Sequence, residues 1–129
     1  MDDSQSRRGR AKLQEMLGEL GLQAVENIAR ISPDMARYVT DFVFGEIHCR
    51  PGLDAKTREL AAVSALVAQG GVEPQLSAHL HGMLNVGWTQ QEITELMIEM
   101  AIYVGFPAAL NGLYAASEVF AERAAKSAP

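Results

Sequence analysis

An all-α bundle of about six helices is what this 129-residue sequence predicts, and three observations carry the expectation. Ala, Leu, Met and Glu, all strong helix formers, are plentiful, while aromatic residues make up only 6%. No segment alternates apolar and polar residues with the period of two that a half-buried strand requires. Successive segments with apolar residues at helical spacing open on recognisable helix-start signals.

The first helix is expected over Arg7 to Arg30, with Leu13, Met16, Leu17 and Leu20 on one stripe and Gly18 and Gly21 breaking or bending it. Ser32-Pro33 opens the second, serine at the N-cap and proline in the first turn. That helix is expected to carry Tyr38, Val39, Phe42 and Val43 inward and to end near Cys49, before the Pro51-Gly52 turn. Asp54 caps the third, whose Leu60, Ala61, Val63, Ser64, Leu66 and Val67 cover more than one face and place it mid-bundle or against a subunit.

Gly70-Gly71 stops the third helix, and Glu73-Pro74 starts a fourth that runs through two histidines to Asn85, with Gly87 as its C-cap. Thr89 and Glu92 form a capping box for the fifth, which carries Ile93, Leu96, Met97, Met100 and Ala101. "VGFPAALNG", Val104 to Gly112, then interrupts the pattern before a last helix through Leu113, Ala116, Val119 and Phe120.

The length suits one domain with one core over residues 1–129, with residues 1–8 flexible. A net charge of -5 argues against a nucleic-acid partner, which calls for a clustered basic face. "RRGRAK", Arg7 to Lys12, reads as a solvated helix entrance or an anion-binding arm. One cysteine excludes a disulfide framework within the chain. The start has no apolar signal region, and runs such as "LAAVSALVA" are too short to span a bilayer. A soluble cytoplasmic protein with no membrane partner is therefore expected. The apolar excess on helices three and five points to self-association, which buries a second face.

Candidate chemistry lies in three places. "FGEIHCRPGL" holds Glu46, His48, Cys49 and Arg50, either a pocket edge or a helix end facing water. Glu46 sits near a helix C-terminus, where a carboxylate gains nothing from the dipole, and Cys49 there has no second cysteine to support a dithiol cycle. "SAHLHG" sets His79 and His81 two residues apart, so at about 100° per residue they diverge on one helix. This argues against a single-helix metal site, where histidines stand four apart. One histidine is then a hydrogen-bonded core residue and the other a subunit contact, or one of them is catalytic. Glu59 is either exposed at a helix start, favoured by the dipole, or buried and functional.

"FGEIHCRPGLDAKTRELAAVSALVAQGG", "QLSAHLHGMLNVGWTQQEI" and "AIYVGFPAALNG" together resemble the carboxymuconolactone decarboxylase family, over roughly Arg8 to Phe120. The resemblance implies an alkylhydroperoxidase-D-like helical subunit in a ring-shaped homo-oligomer, a hexamer or trimer. It also implies cofactor-free decarboxylation of a carboxylated lactone, 4-carboxymuconolactone, to the β-ketoadipate enol-lactone in protocatechuate catabolism.

The peroxidase branch of that family carries a C-x-x-C-x-x-x-H motif. Its cysteines fall on Val72 and Gln75 here, its histidine on His79 and its upstream glutamate near Glu59. The redox pair is missing and the proton-handling pair is kept. The resemblance thus raises His79 as the general acid, oriented by Glu59, with His81 or Arg50 binding substrate and His48 and Glu46 at the pocket edge. Neither a metal nor a cofactor is expected. Where the decarboxylase branch commonly has an aromatic residue this chain has His48, and Cys49 replaces a small or hydroxyl residue. Those departures keep open another decarboxylase, isomerase or cyclase acting on a different carboxylated lactone or a polyketide. A non-enzymatic oligomeric module and, last for want of the cysteine pair, a peroxidase-like protein are the remaining alternatives.

Overall fold

The start signals become helices throughout residues 2–127, the part of the chain that the computed structural model describes. Six helices and a π-helical segment follow one another, and no strand occurs among the described residues. The all-α expectation is met. The helices group into two compact units, one ending at Arg58 and one beginning at Glu59.

In the first unit, α1 runs Asp3–Ile31, with the Asp2 carboxylate accepting from the Gln5 N–H at 2.8 Å. It begins four residues ahead of the expected Arg7 because Asp2 supplies a cap there. Gly18, at φ 63° and ψ -153°, breaks the helical path, as expected, whereas Gly21 stays within the helix. Beyond the break the buried face continues through Gly21 and Val25. Leu20, expected on the buried stripe, is therefore left 43% exposed.

The second helix departs further from expectation. Ser32 caps α2, Pro33–Arg37, through the Met35 N–H, and the chain then continues as a π-helix over Tyr38–Ile47. Bonds spanning five residues widen each turn, so the buried positions fall four or five apart. They are Ala36, Thr40, Asp41, Phe44 and Gly45. Tyr38 and Phe42, expected inside on a period of 3.6, are each 48% exposed.

The π-segment lies against α1 at backbone distance. A Cβ on Gly9 would run into the Thr40 carbonyl, and one on Gly45 would come within 2.6 Å of the Gln5 carbonyl oxygen. Glycine at both positions lets the two helices touch. The Gln5 amide nitrogen donates to the Asp41 carbonyl at 2.8 Å, and the Ser6 hydroxyl to the buried Asp41 carboxylate at 2.7 Å.

Helix α3, Ala55–Gln69, starts in the first unit, where the Asp54 carboxylate accepts from the Thr57 N–H at 2.8 Å. The second unit holds the rest of α3 with α4, Glu73–Asn85, α5, Gln90–Val104, and α6, Phe106–Ser127. Its core gathers Val63 and Val67 from α3, Leu76, Leu80 and Met83 from α4, Ile93 and Met97 from α5, and Ala116 and Val119 from α6. The Thr89–Glu92 capping box opens α5 as expected.

The interruption expected over Val104 to Gly112 shrinks to a single residue. Gly105, at φ 86°, receives the end of α5, and its own carbonyl accepts from Ala109 in the first turn of α6. Pro107 fits that first turn because it needs no donor there. Gly112 is a packing glycine inside α6, where a Cβ would stand 2.7 Å from the Met97 sulfur.

No helix of the described residues is long and apolar enough to cross a membrane. Along α5 and α6 the side chains of Ile98, Ile102, Tyr103, Phe106 and Tyr114 are exposed. Between these two helices lies an apolar cavity of about 450 Å³.

Candidate active site

Helix α3 buries one face at four-residue spacing, and the residues on it are Glu59, Val63 and Val67. The spacing that sends two valines into the core sends a carboxylate with them. Glu59 is fully buried, so of its two readings the structure selects the buried one. A buried carboxylate costs several kcal/mol unless it is paired.

The partner is His79 on α4. Its Nδ1 lies 2.9 Å from one Glu59 oxygen and 3.2 Å from the other. The carboxylate accepts, so the ring carries a proton on Nδ1 and both oxygens are served by one donor. The His79 side chain is 20% exposed, and Nε2 is engaged by no other described residue. Nε2 is the atom left for a ligand. The arrangement is a carboxylate-oriented imidazole, the standard means of fixing a histidine's tautomer and aim.

His81 goes the other way, as the divergence of the pair requires. It is buried, and its Nε2 lies 2.8 Å from a carboxylate oxygen of Glu122 on α6. It is the hydrogen-bonded core histidine of the pair, with no contact to Glu59. Sequence reasoning missed Glu122. The available signal was its place three residues beyond Val119, at the end of the buried series Ala109, Gly112, Ala116, Val119.

The other candidates belong to the first unit. His48 follows the π-segment and stacks on Phe44, with ring centroids 4.8 Å apart and planes tilted by 34°. The Cys49 thiol donates to the Phe44 carbonyl at 3.1 Å. Glu46 and Arg50 are exposed. The turn carrying Arg50 is held by Arg58, whose guanidinium donates to the carbonyls of Arg50 at 3.1 Å and Leu53 at 3.0 Å. No three His, Cys, Asp or Glu side chains converge as a metal-binding group among the described residues.

Residues 33–118 match the model of the carboxymuconolactone decarboxylase family. The chain is 33% identical over 120 residues to 4-carboxymuconolactone decarboxylase of Acinetobacter baylyi, covering 92% of this chain and 89% of the relative. An uncharacterised 15.0 kDa protein of the nqo9-nqo10 intergenic region of Paracoccus denitrificans is 35% identical over 107 residues, 82% of this chain and 78% of its own length. Nitrosuccinic acid decarboxylase of Metarhizium robertsii is 32% identical over 98 residues, covering 73% and 68%.

Proposed function

The chain belongs to the carboxymuconolactone decarboxylase family, and from that premise we propose that it is a cofactor-free carboxy-lyase converting 4-carboxymuconolactone to the β-ketoadipate enol-lactone in aromatic-acid catabolism. Two relatives bearing decarboxylase names support a carboxy-lyase activity in general. The observation that carries the finer reading is the Glu59–His79 pair, a held imidazole with one ring nitrogen left over.

The chemistry asks little else. The departing carboxylate is on the ring carbon that the double bond links to the lactone carbonyl. When the C–C bond breaks, its electron pair flows to that carbonyl and CO2 leaves neutral. The substrate thus supplies its own electron sink, and one proton must then reach the carbon next to the carbonyl. His79 in its doubly protonated form gives that proton from Nε2, while Nδ1–H stays on Glu59. The neutral ring then takes a proton back from solvent. Of the two residues expected to bind substrate, His81 is buried with its Nε2 on Glu122. Arg50 is therefore the one proposed to bind a carboxylate, through two parallel N–H bonds, with His48 and Glu46 as further candidates on the same stretch of chain.

A second reading keeps the chemistry and changes the substrate. The relative named for nitrosuccinic acid supports it, because a nitro group on the carbon that loses CO2 is an equivalent sink. His48 and Cys49 then shape a pocket for another carboxylated acid or lactone. As to partners, we propose a homo-oligomer, a hexamer or trimer, in the cytoplasm. The exposed apolar side chains along α5 and α6 support self-association. The test is decarboxylation of freshly generated 4-carboxymuconolactone, followed as enol-lactone formation, by wild type and His79→Asn. Turnover in wild type alone is expected. A folded wild type that leaves this lactone intact overturns the first reading in favour of the second.

A further inference from the structure

The two histidines of α4 are each held by a carboxylate from a different helix. His79 is on Glu59 of α3, and His81 is on Glu122 of α6. Two residues along a helix turn about 200°, so the two contacts grip α4 from nearly opposite sides. A second rung lies one turn further along the His81 side. Arg123 donates to the Asn85 side-chain oxygen at 2.9 Å, and Asn85 is four residues beyond His81.

The His81 ring is unusual in its hydrogen bonding. Its Nδ1 is buried with no hydrogen-bond partner among the described residues, and its whole polar satisfaction comes through Nε2. A buried polar group held at one atom depends on that contact. If the Glu122 oxygen is removed, both ring nitrogens lack partners inside the core. The imidazole escapes that state only by moving, and α4 turns with it.

We propose that His81 and Glu122, reinforced by Arg123 and Asn85, form a positioning clamp that fixes the rotation of α4 about its axis and thereby keeps His79 on Glu59. Its bearing on catalysis rests on the reading of His79 as the proton donor, but the clamp itself does not. The apolar residues that α4 itself buries are Leu76, Leu80 and Met83, unbranched at Cβ and adaptable, whereas two directional hydrogen bonds on opposite faces set a helix's rotation tightly. Glu122 is 54% exposed, so its loss opens no cavity, and its carboxylate is bonded to His81 rather than to His79.

The test compares Glu122→Ala with Glu122→Gln, whose amide oxygen still accepts from the His81 N–H. The full-length protein is labelled with 15N-histidine, and the ring signals of His79 are assigned by comparison with His79→Asn. His48, in the other unit, is the internal control. Glu122→Ala is expected to keep its helix content, to displace the His79 Nδ1 signal and to speed exchange of its ring proton about tenfold, one tenfold step in the opening equilibrium. The His48 signal should stay in place, and Glu122→Gln should restore that of His79.

In the decarboxylation assay the same alanine variant should lose kcat about tenfold with KM within about twofold, the signature of a misaligned donor. An unmoved His79 signal in folded Glu122→Ala overturns the clamp even if turnover is normal. A moved signal with no turnover by any form upholds the clamp and counts against the decarboxylase reading. Should Glu122→Ala lose its helix content, Glu122→Asp, which draws the carboxylate back from His81 by one methylene at the same half-exposed position, takes its place. An unmoved His79 signal there likewise overturns the proposal.

Discussion

His79 places its Nδ1 2.9 Å and 3.2 Å from the two carboxylate oxygens of Glu59, a residue with no exposed surface of its own. One donor therefore compensates a buried carboxylate and sets the aim of the imidazole. The same contact is structural and, in the proposed reaction, chemical. Substitutions at His79 must separate the two roles.

His79→Asn does so. The asparagine amide nitrogen stands where Nδ1 does and still donates to the Glu59 carboxylate, but it holds no transferable proton. The variant is expected to match the wild-type melting curve and to lose kcat by about 10²–10⁴, the usual worth of a positioned acid. Retention of more than a tenth of the wild-type rate would remove His79 from the mechanism.

His79→Ala should be worse for the fold. It strands the Glu59 carboxylate in the core, and breaking such a pair costs about 3–5 kcal/mol, towards the lower end because His79 is partly exposed and water can enter the vacated space. Chemical denaturation of the two His79 variants side by side measures the difference. Equal stability of the alanine and asparagine forms would show that Glu59 needs no donor.

Arg50→Lys tests the proposed anchor. An ammonium keeps the charge but not the parallel pair of N–H groups, so KM is expected to rise about tenfold with kcat little changed. Steady-state kinetics decides it. A fall in kcat with constant KM would instead place Arg50 in the chemical step.

Asp54 carries a pH prediction. Hydrogen bonding by the Thr57 side chain, and then by its backbone N–H, lowers the Asp54 carboxyl below its ordinary 3.8. A group depressed in the folded state adds stability that is present above the ordinary value and lost as pH falls through the folded one. Asp54→Ala should therefore melt earlier than wild type at neutral pH, with the gap closing below 3.8. Melting curves in a pH series test this, and a gap that persists unchanged into acid counts against the carboxylate as the cap.

Gly9→Ala probes the contact between α1 and the π-segment. The added Cβ meets the Thr40 carbonyl carbon at 2.8 Å and the Gly45 nitrogen at 3.2 Å, both backbone and unable to swing aside. Overpacking of this kind costs about 1–3 kcal/mol, read as a lowered denaturation midpoint. An unaffected midpoint would mean that the two helices do not approach at backbone distance.

Much of this protein was determined by the sequence itself. Helix identity follows from local rules, and so do most boundaries: the Ser32 and Asp54 caps, the Thr89–Glu92 box and the break at Gly18 each act within one turn of chain. The divergence of His79 and His81 follows from helix geometry alone. What the sequence misread depends on packing between helices. The π-segment exposes Tyr38 and Phe42 because it must bring Thr40 and Gly45 against Gly9. Gly112 reads as a breaker but lies within α6 to make room for Met97.

Only the tertiary structure decided the site. Whether Glu59 faced water or the core was open, since both readings fit its spacing. The fold buries it and sets His79, twenty residues later, against it. Glu122 is further still, 41 residues from His81. A periodicity shows which face of a helix is apolar, but not which polar atom on another helix comes within 3 Å of it. That choice is made when the helices pack, because a buried charge tolerates few arrangements of its neighbours.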